Sequence, residues 1–177
     1  MKSHTQCGVS LVEATSILAI VSALVASAAP SYVTFLDKRA VEGLAAEIAT
    51  DLQLTRSEAV ARNQNLKISF GLTPDGRSCY VLHTETSSSC DCASDGPATC
   101  SSGAQEIKTA RAPINGRVSF RANVANMVYE SNRGTTTPGG SIDIVGTSGH
   151  ALRHVVSMLG RVRTCSPDGS MARHRRC

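Results

Sequence analysis

The first pattern along the chain is a predominantly apolar run from Val9 to Ala29, preceded by a short polar stretch and followed by Pro30. Its one ionisable side chain is Glu13. As an α-helix these 21 residues would be about 31 Å long, which matches the hydrocarbon thickness of a membrane. The pattern therefore predicts a membrane-spanning helical segment over residues 9–29.

The next segment, from Ser31 to about Asn63, repeats its apolar positions at helical spacing. These positions are Ala40, Leu44, Ile48, Leu52, Thr55 and Ala59. The charged residues predicted on the opposite, solvent-facing side are Asp37, Arg39, Glu42, Glu47, Asp51, Arg56, Glu58 and Arg62. We expect one long helix, kinked at Pro30, whose amphipathic half over residues 30–63 covers an apolar surface.

Short segments bounded by turn residues follow the helix and predict a β-sheet. The predicted strands are Leu66–Phe70, Cys79–Glu85, Glu106–Ala112, Arg117–Arg121, Met127–Glu130, Ser141–Val145 and Ala151–Arg163. Asn115-Gly116 is predicted to be a two-residue hairpin turn. The fold class is thus α+β, with a long N-terminal helix packed on an antiparallel β-sheet domain over residues 64–177.

The chain has seven cysteines, of which Cys7 precedes the apolar run. The others are Cys79, Cys90, Cys92, Cys100, Cys165 and Cys177. An even number in an exported domain predicts disulfides, with the pairing left open. Residues 87–103 would form a surface loop that these disulfides pin. Zinc binding by Cys90, Cys92 and nearby His83 is the lesser alternative, because the usual two-residue gap between paired ligands is missing. We predict no metal and no cofactor.

Three interpretations of the N-terminus compete. An ordinary signal peptide would be cleaved after Ala26-Ser27-Ala28, and a plain membrane anchor would not be cleaved. The third rests on Gly8-Val9-Ser10-Leu11-Val12-Glu13, which resembles the cleavage motif of type IV prepilins. Counted from Val9, Glu13 is the fifth residue and Pro30 is residue 22. A charge inside a membrane helix costs on the order of 3 kcal/mol, which the first two interpretations leave unexplained, so we favour the third.

The prepilin resemblance implies a processing site and an assembly residue. Residues 1–8 would be a leader that prepilin peptidase removes after Gly8. Val9, where Phe is usual, would become an N-methylated terminus. Glu13 would pair with the N-terminal amine of a neighbouring subunit in a filament. The implied location is the inner membrane, with a single pass and the C-terminal domain in the periplasm.

Three later segments narrow the resemblance. Residues 54–59, 132–142 and 155–163 are similar to segments of the GspH/FimT family of type IV minor pilins and type II secretion pseudopilins. The resemblance implies a type IV pilin-like fold and a place in a filament with other pilins or pseudopilins. We expect a FimT-like minor pilin that contributes to pilus assembly and to binding of double-stranded DNA in natural transformation. The alternative is a GspH-type minor pseudopilin of the type II secretion system.

The DNA hypothesis depends on the basic C-terminus. The net charge is +4, yet residues 9–150 carry eleven basic and thirteen acidic side chains, while residues 151–177 carry six arginines and one aspartate. Gly160-Arg161-Val162-Arg163 is similar to the region with which FimT-type pilins bind DNA. Strand alternation would put Arg161 and Arg163 on one face. A solvated strand face, or salt bridges to neighbouring subunits, are the alternatives.

The tail would extend this basic face. Pairing of Cys165 with Cys177 would bring further arginines close, namely Arg173, Arg175 and Arg176. His154 and His174 are predicted on the surface, where protonation at lower pH would strengthen anion binding. The sequence contains no nucleophile elbow, phosphate loop or metalloprotease helix, so we predict that the protein is not an enzyme.

Overall fold

The computed structural model describes residues 10–84, 89–101 and 103–177. Its first element is helix α1, Leu11–Ala61, which continues through Pro30 as expected. The chain divides into two compact units, and the division falls inside α1. The units are Met1–Leu36 and Asp37–Cys177.

The first unit contains the apolar part of α1. Gly8 and Val9, the predicted processing site, lie outside the described residues. The Oγ of Ser10 accepts a hydrogen bond of 3.2 Å from the backbone N of Glu13, which caps the start of the helix. The apolar side chains of this part are exposed, and the helix is long and apolar enough to cross a membrane. A helix that is apolar on every side suits a lipid environment.

The second unit contains the rest of α1 and all the described strands. The strands are β1 (Leu66–Leu72), β2 (Ser78–Thr84), β3 (Cys90–Asp91), β4 (Thr99–Cys100), β5 (Glu106–Arg111), β6 (Val118–Ala122), β7 (Asn126–Tyr129), β8 (Thr136–Thr137), β9 (Gly140–Gly146), β10 (Ala151–Val156) and β11 (Val162–Cys165). One antiparallel sheet has the order β5-β2-β1-β7-β8, a second has the order β11-β10-β9-β6, and β3 pairs with β4. Strand β11 is therefore at an edge of the second sheet.

The prediction of a single strand over Ala151–Arg163 is wrong. The chain reverses between β10 and β11, where Gly160 has a φ of +71°. The backbone N of Ser157 donates to the Arg161 carbonyl at 3.0 Å, and the N of Gly160 donates to the Ser157 carbonyl at 2.8 Å. Glycine adopts this left-handed conformation without steric cost, so the chain turns back and β11 pairs with β10.

The predicted hairpin at Asn115-Gly116 is also wrong. The chain does turn there, since the N of Gly116 donates to the Pro113 carbonyl at 3.3 Å. However, β5 on one side pairs with β2, and β6 on the other side pairs with β9. The turn therefore carries the chain from one sheet to the other. The two-residue strands β3, β4 and β8 were not predicted, because so short a segment has no recognisable alternation.

The hydrophobic core lies between the second half of α1 and the two larger sheets. The helix contributes Val41, Leu44, Ala45, Ile48, Leu52 and Ala59, and the strands contribute Leu66, Ile68, Tyr80, Leu82, Phe120, Met127, Tyr129, Ile142, Ile144 and Leu152. Aromatic rings are few, and Tyr80 packs edge-on against Phe120 with ring centroids 5.6 Å apart. The predicted apolar face of the helix is thus the buried face.

Two carboxylates predicted on the solvent side of α1 are buried instead. Asp37 and Asp51 are each 2% exposed. Asp37 accepts hydrogen bonds from Thr147 Oγ1 at 3.0 Å and from the backbone N of Ser148 at 3.2 Å. Asp51 accepts from Tyr80 and Lys108. Helical spacing placed both residues wrongly, because buried carboxylates are tolerated where polar partners satisfy them.

Three disulfides confirm the prediction that the β-rich domain is crosslinked. They are Cys79–Cys92, Cys90–Cys100 and Cys165–Cys177. The first two hold the predicted surface loop, which contains the β3–β4 ribbon. Arg111 also donates from Nε to the Ala93 carbonyl at 2.9 Å. Since Cys90 and Cys92 are oxidised in this arrangement, they do not supply the thiolate ligands that the zinc alternative requires.

Candidate nucleic-acid interface

Arg161 and Arg163 project from the edge of the second sheet. Both are exposed, whereas Val162 between them is half-buried and packs against the core. The alternation that the sequence predicts for this segment is therefore present, although Arg161 precedes β11 and Arg163 lies within it. Both arginines line a groove of about 710 Å³ beside α1.

The C-terminal segment returns to the same edge. Besides the Cys165–Cys177 disulfide, the N of Ser166 donates to the Arg175 carbonyl at 2.8 Å, and the N of Cys177 donates to the Ser166 carbonyl at 3.2 Å. A second depression is lined by Arg163 together with Arg175 and Arg176. Arg163 thus belongs to both depressions, and the basic surface is continuous from one to the other.

The charges on this surface are largely uncompensated. Within the described residues, no ion pair involves Arg161, Arg163, Arg173 or Arg175. Arg176 donates to the carbonyl of Asp168 at 3.3 Å and keeps its charge. Arg173 is exposed in the same C-terminal segment but lines neither depression.

Two residues of the C-terminal segment reduce the positive charge that the sequence suggested. Arg153 pairs with Asp143 through Nε at 2.5 Å and Nη2 at 3.0 Å, so it is already neutralised. The Asp168 carboxylate accepts hydrogen bonds from the N and side chain of Ser170 and from Ser166, which lower its pKa to about 2. Asp168 is therefore anionic at neutral pH. Of the six arginines from residue 151 onward, the five other than Arg153 remain against this one anion.

The prediction that His154 is a surface group is wrong. It is 1% exposed, because α1 covers it on one side and β11 on the other. Its Nε2 donates to the Ala45 carbonyl at 2.8 Å, so its Nδ1 accepts from Thr164 Oγ1 at 2.9 Å. Burial lowers the pKa of His154, so this ring stays neutral and adds no positive charge to the interface. His174 is half-exposed and lines a small cavity beside it.

Arg56 is a member of this surface that sequence reasoning did not group with the others. It lies on α1 and lines the same groove as Arg161 and Arg163. A Cβ atom placed on Gly134 would lie 2.9 Å from Arg56 Nε, and one placed on Gly160 would lie 3.2 Å from it. The segments 54–59, 132–142 and 155–163, which resemble one family in the sequence, therefore meet at Arg56. That shared resemblance was the signal in the sequence that could have placed Arg56 in this surface.

A sequence profile of the family described as type II transport protein GspH matches residues 44–160. This range covers more than half of the chain. It includes Arg56, Gly134 and Gly160, and it ends immediately before Arg161 and Arg163. The chain belongs to the GspH family. No functionally curated protein matches its sequence significantly.

Two solved structures show the same fold. The minor pseudopilin EpsH from the type 2 secretion system of Vibrio cholerae has a TM-score of 0.50 and 14% identity, over 72% of this chain and 97% of that chain. The type IV minor pilin FimU of Pseudomonas aeruginosa has a TM-score of 0.51 and 17% identity, over 73% of this chain and 90% of that chain. The α+β, pilin-like fold class is thereby confirmed.

Proposed function

We propose that this GspH-family chain is a FimT-like minor pilin of a type IV pilus and that its arginine surface binds double-stranded DNA. The observation that carries the proposal is the return of the C-terminus to the sheet edge, which puts Arg175 and Arg176 beside Arg163. Guanidinium groups bind phosphate oxygens through forked hydrogen bonds. The segment from residue 151 onward contains no aromatic residue, so binding is to the phosphate backbone and without base stacking.

The double substitution Arg161→Gln with Arg163→Gln is expected to weaken DNA binding and to make the binding less dependent on salt concentration. Each lost phosphate contact reduces the slope of log K against log salt concentration by about 1, so the pair reduces it by about 2. The measurement is fluorescence anisotropy of a labelled duplex, with the full chain in non-ionic detergent, over a series of salt concentrations.

Arg117→Gln with Arg121→Gln is the matched control. These two exposed arginines lie at or next to β6, the opposite edge of the same sheet, and the double variant has the same net charge as the test variant. If both double variants lose the same amount of binding, the assignment of the site to Arg161 and Arg163 is wrong, because only overall charge would matter.

The N-terminal part of the proposal is a processed membrane anchor. Prepilin peptidase cleaves after Gly8, Val9 becomes the methylated terminus, and Glu13 pairs with the terminal amine of a neighbouring subunit. An exposed apolar helix and an oxidised domain, which suits the periplasm, support an inner-membrane anchor with a periplasmic domain.

N-terminal sequencing of the mature protein from the membrane fraction is expected to begin at Val9. A mature chain beginning at Ala29 would show instead that a conventional signal peptide had been removed, and the anchor would be lost with it. Detection of an N-methyl group on the first residue by mass spectrometry separates prepilin processing from cleavage by an unrelated protease.

The second candidate function is that of a minor pseudopilin in type II secretion. The description of the matching family as a type II transport protein favours it. Deletion of the gene separates the candidates when piliation, transformation and secretion are each measured. Loss of secretion with normal transformation would favour the pseudopilin, and loss of transformation with normal secretion would favour the DNA-binding pilin.

A further inference from the structure

We propose that Arg56 of α1 is a DNA-binding residue, and that the groove beside α1 holds a backbone phosphate between Arg56, Arg161 and Arg163. This inference rests on the proposed function and adds to it a contact from the helix, far from the C-terminal arginines in sequence. With Arg56 included, the phosphate would be contacted from two sides, by α1 and by the sheet edge.

The lining of the groove has the composition of an anion site. Its polar side chains are Gln53, Arg56, Ser57, Arg161 and Arg163, and among the described residues that line it there is no carboxylate. Three cations on facing elements repel one another unless an anion lies between them. The Gln53 amide is a neutral group able to donate a further hydrogen bond to a phosphate oxygen, whereas the Ser57 hydroxyl already donates to the Leu54 carbonyl at 2.9 Å.

Arg56 differs from the other described arginines of α1. Arg39 pairs with Glu42 at 3.1 Å, and Arg62 pairs with Glu58 at 2.6 Å. Arg56 forms no ion pair with any described residue, although it is half-buried and so loses part of its hydration. A guanidinium in this position gains more from an external anion than a fully solvated one does.

The side chain of Arg56 is held in place by backbone instead of by a carboxylate. It packs against Gly134 and Gly160, where a Cβ atom would lie 2.9 Å and 3.2 Å from its Nε. Both glycines have positive φ, +60° and +71°, and each belongs to a tight turn. Two turns without side chains thus leave room for the Arg56 stem and set its guanidinium beside the residue that follows Gly160, which is Arg161.

The ligand that fits best is a chain of phosphates. Arg163 lines this groove and also the second depression with Arg175 and Arg176. Cations spaced along two adjoining depressions match a polyanion better than they match one isolated carboxylate. The DNA backbone is such a polyanion, whereas an acidic side chain of a neighbouring subunit would occupy one depression alone.

Arg56→Gln is expected to reduce the slope of log K against log salt concentration by about 1. Arg56→Met should do the same, because it retains an apolar stem and removes the charge. Arg56→Lys should keep most of the slope, because the charge stays. The full chain in non-ionic detergent and a labelled duplex are used, with Arg121→Gln as the control that removes one exposed charge at the opposite sheet edge. Far-UV circular dichroism on heating checks that each variant is folded.

The outcomes separate this inference from the proposed function. If the wild-type chain binds DNA and Arg56→Gln and Arg56→Met retain its full slope, Arg56 is not a contact and the inference fails alone. If the wild-type chain does not bind DNA, the proposed function fails and takes the inference with it. If the chain binds a poly-glutamate peptide through Arg56 and binds no DNA, the groove is a protein-docking site and the inference is overturned.

Discussion

Asp51→Ala is expected to lower the free energy of unfolding by about 3 kcal/mol. The carboxylate accepts from the Tyr80 hydroxyl at 2.6 Å and from Lys108 Nζ at 2.7 Å. Tyr80 is buried in the core, so its hydroxyl would lose its partner without reaching water. Burial, together with the Asp51 carboxylate, raises the pKa of Tyr80, so the phenol remains the donor at all physiological pH values.

The effect belongs to a three-residue cluster that joins α1 to β2 and β5. Lys108→Met alone leaves the buried Asp51 carboxylate with Tyr80 as its partner and without a neutralising charge. When Asp51 is first replaced by asparagine, the same Lys108→Met change leaves no buried charge and should cost less stability. A double-mutant cycle is therefore expected to give a coupling of at least about 1 kcal/mol between Asp51 and Lys108. The measurement is urea unfolding of the segment from Ser31 onward with disulfides intact, followed by circular dichroism. The second unit has its own core, so this segment is suitable.

Glu47→Ala provides the comparison for Asp51→Ala. Glu47 lies one turn earlier on α1 and is exposed, so its replacement should change the free energy of unfolding by less than about 0.5 kcal/mol. An equally small change for Asp51→Ala would mean that the buried cluster does not stabilise the fold.

Gly160→Ala is the second large effect, with an expected loss of about 3 kcal/mol of unfolding free energy. The φ of +71° at Gly160 is strained for alanine, and the new Cβ atom would lie 2.6 Å from the backbone O of Gly134. A backbone oxygen in a tight turn cannot move aside as a flexible side chain does. The turn that positions Arg161 would be displaced, so DNA affinity should fall together with stability.

Gly149→Ala isolates the conformational part of that loss. Gly149 has a φ of +82°, but a Cβ atom there would meet nothing within 4 Å among the described residues. Its substitution should cost about 1 kcal/mol and leave DNA binding unchanged. If Gly149→Ala and Gly160→Ala proved equally destabilising, the close approach to Gly134 would have no energetic role.

The helix and most strands of the fold could be predicted from the sequence, but which strands pair with each other could not. The helix and the seven strand regions follow from local periodicity. In the helix, for example, Leu44 and Ile48 are four positions apart, and both are buried on the predicted apolar face. Periodicity contains no information about pairing, so β5 and β6 were predicted as a hairpin although they belong to different sheets. The reversal at Gly160 was missed because the segment around it is apolar enough to resemble one continuous strand.

Only part of the candidate site could be predicted, because local patterns do not show which distant segments come together. The arginines that are close in sequence, Arg161 and Arg163, were recognised as a pair. Arg56 was assigned to the solvent face of a helix and not to a site, because the other two arginines of the groove are about a hundred residues away in sequence. His154 was placed on the surface because alternation within β10 does not reveal that α1 and β11 cover it.

The sequence by itself determined the long helix, its apolar first half with Glu13, the disulfide-bonded β-rich domain, and the membership of a family of pilins and pseudopilins. Each of these follows from the spacing of residues along the chain or from a contiguous motif. Only the tertiary structure decided which cysteines pair, that Asp37 and Asp51 are buried, that Arg153 is neutralised by Asp143, and that Arg56 lines the same groove as Arg161. These depend on contacts between distant segments, where the free energy of packing and of satisfied polar groups overrides the preference of any single residue.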